Sequence, residues 1–270
     1  VDMDSKHQVT VIVTDPQKVP QKNINVIVKN DLGDKATGKT DKNGEVTVPE
    51  VEKTEHHSAY VVGYTDGTFG PERNMTRSEA AAIFARLLAD KNGDNISPVA
   101  KTKFSDVPAY AWYSGYVKYL NNNGVTYGNS KTNFAPDKQI TRAEFTTLAV
   151  RFFDAYGDGD AEIMEQFKSF DDVSDGYWAA EYIKAAAKHG WITGYGDGSF
   201  RADRQITRAE VVTIVNRLLG RAADLEYVSD NLRKLNTFPD VSRRYWAYSD
   251  ILEAANAHNA ILGTEESWYK

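Results

Sequence analysis

The chain has 270 residues, 41% apolar and 26% charged, which suits one or two folded domains with real cores. Eleven per cent aromatic residues exclude a disordered chain, and the absence of cysteine excludes disulfides, thiolate metal sites and thiol nucleophiles together. A net charge of −6 argues against nucleic acid as the main partner, and no apolar run approaches the roughly 18 residues that a membrane span needs.

Val1 opens directly into polar sequence, which reads as a mature or trimmed chain with no leader peptide. Residues 8–52 then alternate with period two. Val9, Val11 and Val13 share one face, Val26 and Val28 another, and Val46 and Val48 a third. Turn signals divide these runs: Asp15-Pro16, Asn30-Asp31-Leu32-Gly33 and Asp41-Lys42-Asn43-Gly44. The pattern predicts an antiparallel β unit of about four strands, short for an independent sandwich, which would borrow strands or lean on a neighbour. The stretch GKTDKNGEVTVPE (38–50) resembles the small prealbumin-like (CnaB-type) β-sandwiches of bacterial surface proteins, and the resemblance implies a spacer.

After residue 59 the periodicity becomes helical, and two kinds of unit alternate. The first is a turn followed by a helix, at 60–90, 127–153 and 193–220. Its three copies contain DGTFGPERNMTRSE, KTNFAPDKQITRAE and DGSFRADRQITRAE. Phe69, Phe134 and Phe200 each precede an arginine by eight positions: Arg77, Arg142 and Arg208. The second unit, at 104–124, 170–190 and 238–258, begins FSDV, FDDV and FPDV. Trp112, Trp178 and Trp246 follow eight positions after Phe104, Phe170 and Phe238. An isolated helical pair cannot bury its apolar stripe, so neighbouring units must stack. The chain starts with the first unit and ends with the second. If the last unit packs beside the first, the repeats close into a pseudo-threefold array.

The recurring FxDVxxxxW, the Gly124-x-x-x-Gly128 and Gly190-x-x-x-Gly194 pairs, the DGxF turn and the TRAE helix start resemble the S-layer homology family over about 200 residues. The resemblance implies a non-catalytic module that attaches exported proteins non-covalently to secondary cell-wall polymers, often carrying pyruvylated N-acetylmannosamine. The expected architecture is therefore mainly α. It is a pseudo-threefold helical array of such repeats (59–270) behind a small N-terminal antiparallel β domain (1–58). The expected location is extracellular, at the cell wall or S-layer, with a wall polysaccharide as partner.

Thr76, Thr141 and Thr207 read as N-caps, and Glu79, Glu144 and Glu210 three residues on complete capping boxes. Arg77, Arg142 and Arg208 have no part in that box. A cation in the first helical turn opposes the macrodipole, so each must pair with a carboxylate of a neighbouring repeat or meet an external anion. A guanidinium beside a helix N-terminus can clamp a carboxylate, and the pyruvate ketal implied by the family supplies one. Asp66-Gly67 and Asp197-Gly198 form tight turns that either only reverse the chain or also bind sugar hydroxyls. In the second repeat Lys131 and Thr132 replace that pair, and Lys131 could add positive charge for the anion. Trp112, Trp178 and Trp246 are core residues or stacking platforms for sugar faces. The six repeat phenylalanines read as core anchors. Asp106, Asp172 and Asp240 read as residues that cap or close the turn before the helix. His258-Asn259 stands where the other copies have Gly124 and Gly190, with Asn suited to the left-handed position.

The five histidines are scattered, and no HExxH, GxSxG or P-loop motif occurs, so no catalytic residues and no cofactor are assigned. The oxygen-rich runs Asp90–Asn95 and Asp154, Asp158 and Asp160 lack the EF-hand register and read as solvated connectors rather than metal sites. Two alternatives to anchoring remain: a self-assembling array module and a calcium-stabilised surface domain.

Overall fold

The computed structural model describes residues 8–29, 35–49, 53–157, 169–262 and 267–269. The Asn30–Gly33 turn, Asp158 and Asp160 lie outside the described residues. The chain divides into two compact units, residues 1–57 with 258–270, and residues 58–257.

In the first unit the alternation produces paired strands. β1 (Gln8–Ile12) runs antiparallel to β4 (Glu45–Pro49), with Val9 opposite Val48 and Val11 opposite Val46. β2 (Asn25–Lys29) pairs with β3 (Lys35–Lys39). The turn before β4 closes on its own side chain: the Asp41 carboxylate accepts the N–H groups of Asn43 at 2.7 Å and Glu45 at 2.9 Å. Gly44 sits there at φ +74°, where a Cβ would meet the Val13 carbonyl oxygen at 2.5 Å. A fifth strand, β5 (Lys53–His57), joins a separate sheet with β6 (His258–Leu262) and β7 (Ser267–Tyr269). The division differs from the expected boundary at 58 at the other end of the chain, because β6 pairs with β5 and β7 with β6. The chain is also less purely helical than expected, since strands occupy both ends.

The second unit holds seven helices among the described residues: α1 (Arg77–Asn92), α2 (Ser114–Asn122), α3 (Arg142–Tyr156), α4 (Ala180–Lys188), α5 (Arg208–Leu219), α6 (Leu225–Asn231) and α7 (Tyr248–Ala255). None is long and apolar enough to cross a membrane. α1, α3 and α5 are the TRAE helices, and all three capping boxes form, with Thr76, Thr141 and Thr207 accepting from the backbone of Glu79, Glu144 and Glu210. α2, α4 and α7 start two residues after the repeat tryptophans and pack on α1, α3 and α5 respectively. α2 and α4 are followed by Gly124 and Gly190 at φ +75° and +69°. The third copy departs from the expected Asn259 cap. α7 stops at Ala255, and Asn256 turns extended (φ −123°, ψ 123°) because its side-chain amide pairs with both backbone groups of Asn236. The chain therefore leaves the helix as β6.

A capping box satisfies only part of a helix start. Here the first two backbone N–H groups of each TRAE helix donate to the loop of another repeat. Arg77 and Ser78 donate to the carbonyls of Lys138 and Pro136, Arg142 and Ala143 to those of Arg204 and Ala202, and Arg208 and Ala209 to those of Arg73 and Pro71. One step earlier the bonds form a ring: Met75 N–H to Ile206 O (3.0 Å), Ile206 N–H to Ile140 O (3.1 Å) and Ile140 N–H to Met75 O (2.9 Å). The pseudo-threefold hub is made of these bonds, and around it one core holds all three repeats.

The FxDV aspartates do something other than the expected cap. Asp106 accepts the backbone N–H groups of Phe134 (2.8 Å) and Ala135 (2.6 Å), and Asp172 those of Phe200 and Arg201 (both 2.7 Å). The third, Asp240, grips Phe69 (2.9 Å) and Gly70 (2.7 Å), near the opposite end of the repeat array. The phenylalanines follow the same pairing: Phe104 with Phe134, Phe170 with Phe200 and Phe238 with Phe69, at ring separations of 5.6, 5.2 and 5.2 Å. The last Phe–Trp unit therefore completes the first turn-and-helix unit, and the ring closes. Two charge-assisted bonds, one part-buried and one exposed, predict that Asp240→Ala costs about 1–3 kcal/mol. Chemical denaturation measures it, and a loss comparable to that of Asp106→Ala and Asp172→Ala is expected. A variant as stable as the parent would contradict closure.

Candidate functional site

The ring places three grooves at equivalent positions. The first, of about 180 Å³, is lined by Arg208, Tyr64, Glu79, Arg86 and Trp112 among others. The second, of about 240 Å³, has Arg77, Asn129, Glu144, Arg151 and Trp178. The third, of about 230 Å³, has Arg142, Tyr195, Glu210, Arg217 and Trp246. Each combines an arginine from one TRAE helix with a glutamate and a second arginine from the next, a loop, and a tryptophan ahead of the partner helix.

The TRAE arginines are buried to within 5–7% exposure, yet each lines an opening. Their Nε groups donate to carbonyls of the neighbouring repeat: Arg77 to Phe134 (2.8 Å), Arg142 to Phe200 (2.9 Å) and Arg208 to Phe69 (2.9 Å). Each guanidinium also lies 4.6–5.0 Å from the centre of that same phenylalanine ring. This accounts for a cation at a helix start, because the side chain leaves its own dipole for a carbonyl and a ring face next door. Burial draws all three pKa values below the ordinary 12.5. A guanidinium stays charged at neutral pH regardless.

Nearby carboxylates answer part of that charge. Arg142 Nη1 donates to Glu210 at 3.0 Å, and Arg77 Nη1 lies 3.6 Å from Glu144. Both glutamates are the capping residues of the next helix, so one carboxylate serves the helix start and the groove. Glu210 also receives Arg204 and the Tyr195 hydroxyl (2.9 Å). Burial alone would raise its pKa. The Thr207 backbone N–H, Arg142, Arg204 and Tyr195 outweigh that, so it lies below the ordinary 4.5.

Trp112, Trp178 and Trp246 resolve towards the groove rather than the core, with 55–58% of each side chain exposed. Five of the six repeat phenylalanines are buried, Phe238 only partly. The turn residues are placed elsewhere. Asp66, Gly67, Lys131, Asp197 and Gly198 line none of the three grooves. Asp66 Oδ1 accepts the backbone N–H and the hydroxyl of Thr68 (2.9 and 2.7 Å). Asp197 Oδ1 likewise accepts from Ser199 (3.0 and 2.6 Å), and its Oδ2 accepts from Arg201. Those bonds hold both pKa values below the ordinary 3.8. The residues that do line the grooves come just before these turns. Among them, Gly63, Gly128 and Gly194 have no room for a Cβ, which would lie 2.3–2.6 Å from Phe238, Phe104 and Phe170. Arg86, Arg151 and Arg217, missed in the sequence, carry a signal that was there to read: each follows its TRAE arginine by nine positions. Arg86 and Arg151 are held by the Tyr116 and Tyr182 hydroxyls.

The family model for the S-layer homology domain matches residues 50–81, 103–146 and 169–212. The chain carries three S-layer homology repeats and belongs to that family. The last two matched segments run from a Phe–Trp unit into a TRAE helix. The first contains only the turn and helix start, and its missing part is the 238–257 segment that Asp240 ties to it. The chain is 37% identical to Cell surface glycoprotein 1 of Acetivibrio thermocellus over 216 residues, 78% of this chain and 9% of that protein. It is 36% identical to the Cellulosome-anchoring protein of the same organism over 226 residues, 82% of this chain and 47% of that protein. The Surface-layer 125 kDa protein of Lysinibacillus sphaericus is 32% identical over 59% of this chain and 13% of its own length. The chain thus spans less than half of each of these relatives. Membership places it outside the cell, at the wall. The model match begins at residue 50, so the likeness of the preceding residues to prealbumin-like sandwiches is still an expectation.

Because Glu210 has a lowered folded pKa, its contribution to stability is present above its unfolded value and lost as pH falls through the folded one. Glu210→Gln, which keeps a capping side chain, is expected to flatten the fall in melting temperature between about pH 5 and pH 3. A parallel acid limb in parent and variant would show that the network does not hold the proton off.

Proposed function

We propose that this chain is a non-catalytic anchor that holds a surface protein to an acidic wall polysaccharide, with the pyruvylated end of the glycan seated in the inter-repeat grooves. The supporting observation is that a buried guanidinium and a half-exposed indole face the same opening three times over. A carboxylate on the sugar takes a terminal guanidinium nitrogen, and the sugar ring stacks on the tryptophan. The relative named a cellulosome-anchoring protein fits an attachment role.

The net charge of −6 works against long-range attraction of an anionic polymer. Affinity must come from contacts inside the grooves, where desolvation strengthens a charge-assisted bond. Three grooves on one rigid ring add avidity for a polymer with repeating acidic groups.

The arginines are poor residues with which to test this, since truncating them also unties the neighbouring phenylalanine loops. The exposed tryptophans are better. Combined Trp112→Ala, Trp178→Ala and Trp246→Ala should lower cosedimentation with purified wall material at least roughly tenfold, the factor expected from losing about 1.4 kcal/mol per site. Unfolding free energy should change by under about 1 kcal/mol, as for exposed sites. Undiminished wall binding by a folded triple variant would remove the groove reading.

A further inference from the structure

The three grooves are alike in outline but differ in how far each arginine is already neutralised. In the third groove Arg142 donates to Glu210 at 3.0 Å, and Arg204 and Tyr195 lock that carboxylate in place. In the second, Arg77 is 3.6 Å from Glu144, whose other oxygen is drawn to Lys138 at 2.9 Å. In the first, no carboxylate of the described residues comes within 4 Å of Arg208. The corresponding Glu79 makes the same Oε2 contact with its own N-cap as Glu144 and Glu210 do, accepting the Thr76 N–H at 2.8 Å and the Thr76 hydroxyl at 3.0 Å, but forms no ion pair with Arg208. Arg73, the counterpart of Lys138 and Arg204, stacks 4.1 Å over Tyr64 instead of drawing Glu79 across. Arg208 donates Nε to Phe69 O and Nη2 to Val62 O, both at 2.9 Å, and has the Tyr64 side chain and the more distant Glu79 as further favourable neighbours.

We propose that the groove of Arg208 and Trp112 is the primary acid-binding groove of this chain, that of Arg77 and Trp178 the intermediate one, and that of Arg142 and Trp246 the weakest. In the first groove an incoming carboxylate meets a guanidinium that, among the described residues, has no carboxylate within 4 Å. In the third it must share Arg142 with a fixed negative neighbour. The ranking rests on the reading that the grooves take an acidic sugar. It assigns a specificity within the ring that the repeat motifs alone, nearly identical in all three copies, do not show.

Each groove contains one exposed tryptophan, so the indole N–H resonances report the three sites separately in the intact protein. Assignments come from single Trp→Phe variants. The probe is a pyruvylated N-acetylmannosamine glycoside, titrated into the unmodified chain. The Trp112 signal should reach its midpoint at the lowest concentration and that of Trp246 at roughly tenfold more, the factor carried by about 1.4 kcal/mol. Glu210→Gln should bring the Trp246 midpoint down towards that of Trp112. A common midpoint, an earlier Trp246 transition, or no response to Glu210→Gln overturns the ranking. Absence of movement in all three indoles overturns the acidic-sugar reading itself, and the ranking with it.

Discussion

A helix start that cannot satisfy itself is the constraint on which this ring depends. In each TRAE helix the capping box supplies partners for the N-cap and third-residue N–H groups. The first two N–H groups and the arginine Nε must find acceptors elsewhere. All three find them in the loop that carries the phenylalanine of the next repeat. No repeat is complete alone, and each supplies what another lacks. The arrangement costs nothing in unsatisfied backbone, and it leaves a guanidinium at the seam between two repeats. The groove is a consequence of that seam.

The same dependence explains the order of units along the chain. The first matched segment begins without a Phe–Trp unit, and among the described residues no helix follows the last Phe–Trp unit. Asp240 on Phe69 and Gly70 repeats, across the two ends of the array, the contact that Asp106 and Asp172 make locally. Closure by both ends turns a linear array, in which terminal repeats would expose their apolar faces, into a ring with none.

Much of the ring was legible because its signals are periodic. The Phe–Arg and Phe–Trp spacings gave the units, and Thr–Glu spacing gave the helix starts. Partner choice was not legible. Asp106 looks like a local cap, since nothing in a short window shows a backbone turn 28 residues away waiting for its carboxylate. Asp66 and Asp197 look like groove residues, yet a following Thr or Ser engages one oxygen of each and neither lines a groove. The strand at His258–Leu262 was hidden by a repeat pattern that still seemed to run, until Asn256 paired with Asn236. For the grooves, the arginines and tryptophans were visible, whereas Arg86, Arg151 and Arg217 and the double role of the capping glutamates needed the packed structure. Which arginine is neutralised depends on the rotamers of Arg73, Lys138 and Arg204, and no spacing encodes that.

The central claim is that an acid on the glycan is what the buried guanidiniums are for. Titration calorimetry of the intact chain against purified wall polymer, before and after chemical removal of its pyruvate groups, tests it most directly. The account predicts measurable binding to the native polymer and loss of nearly all of it once the acid is gone. Equal heats and affinity for both preparations would contradict it and leave the arginines as seam residues alone.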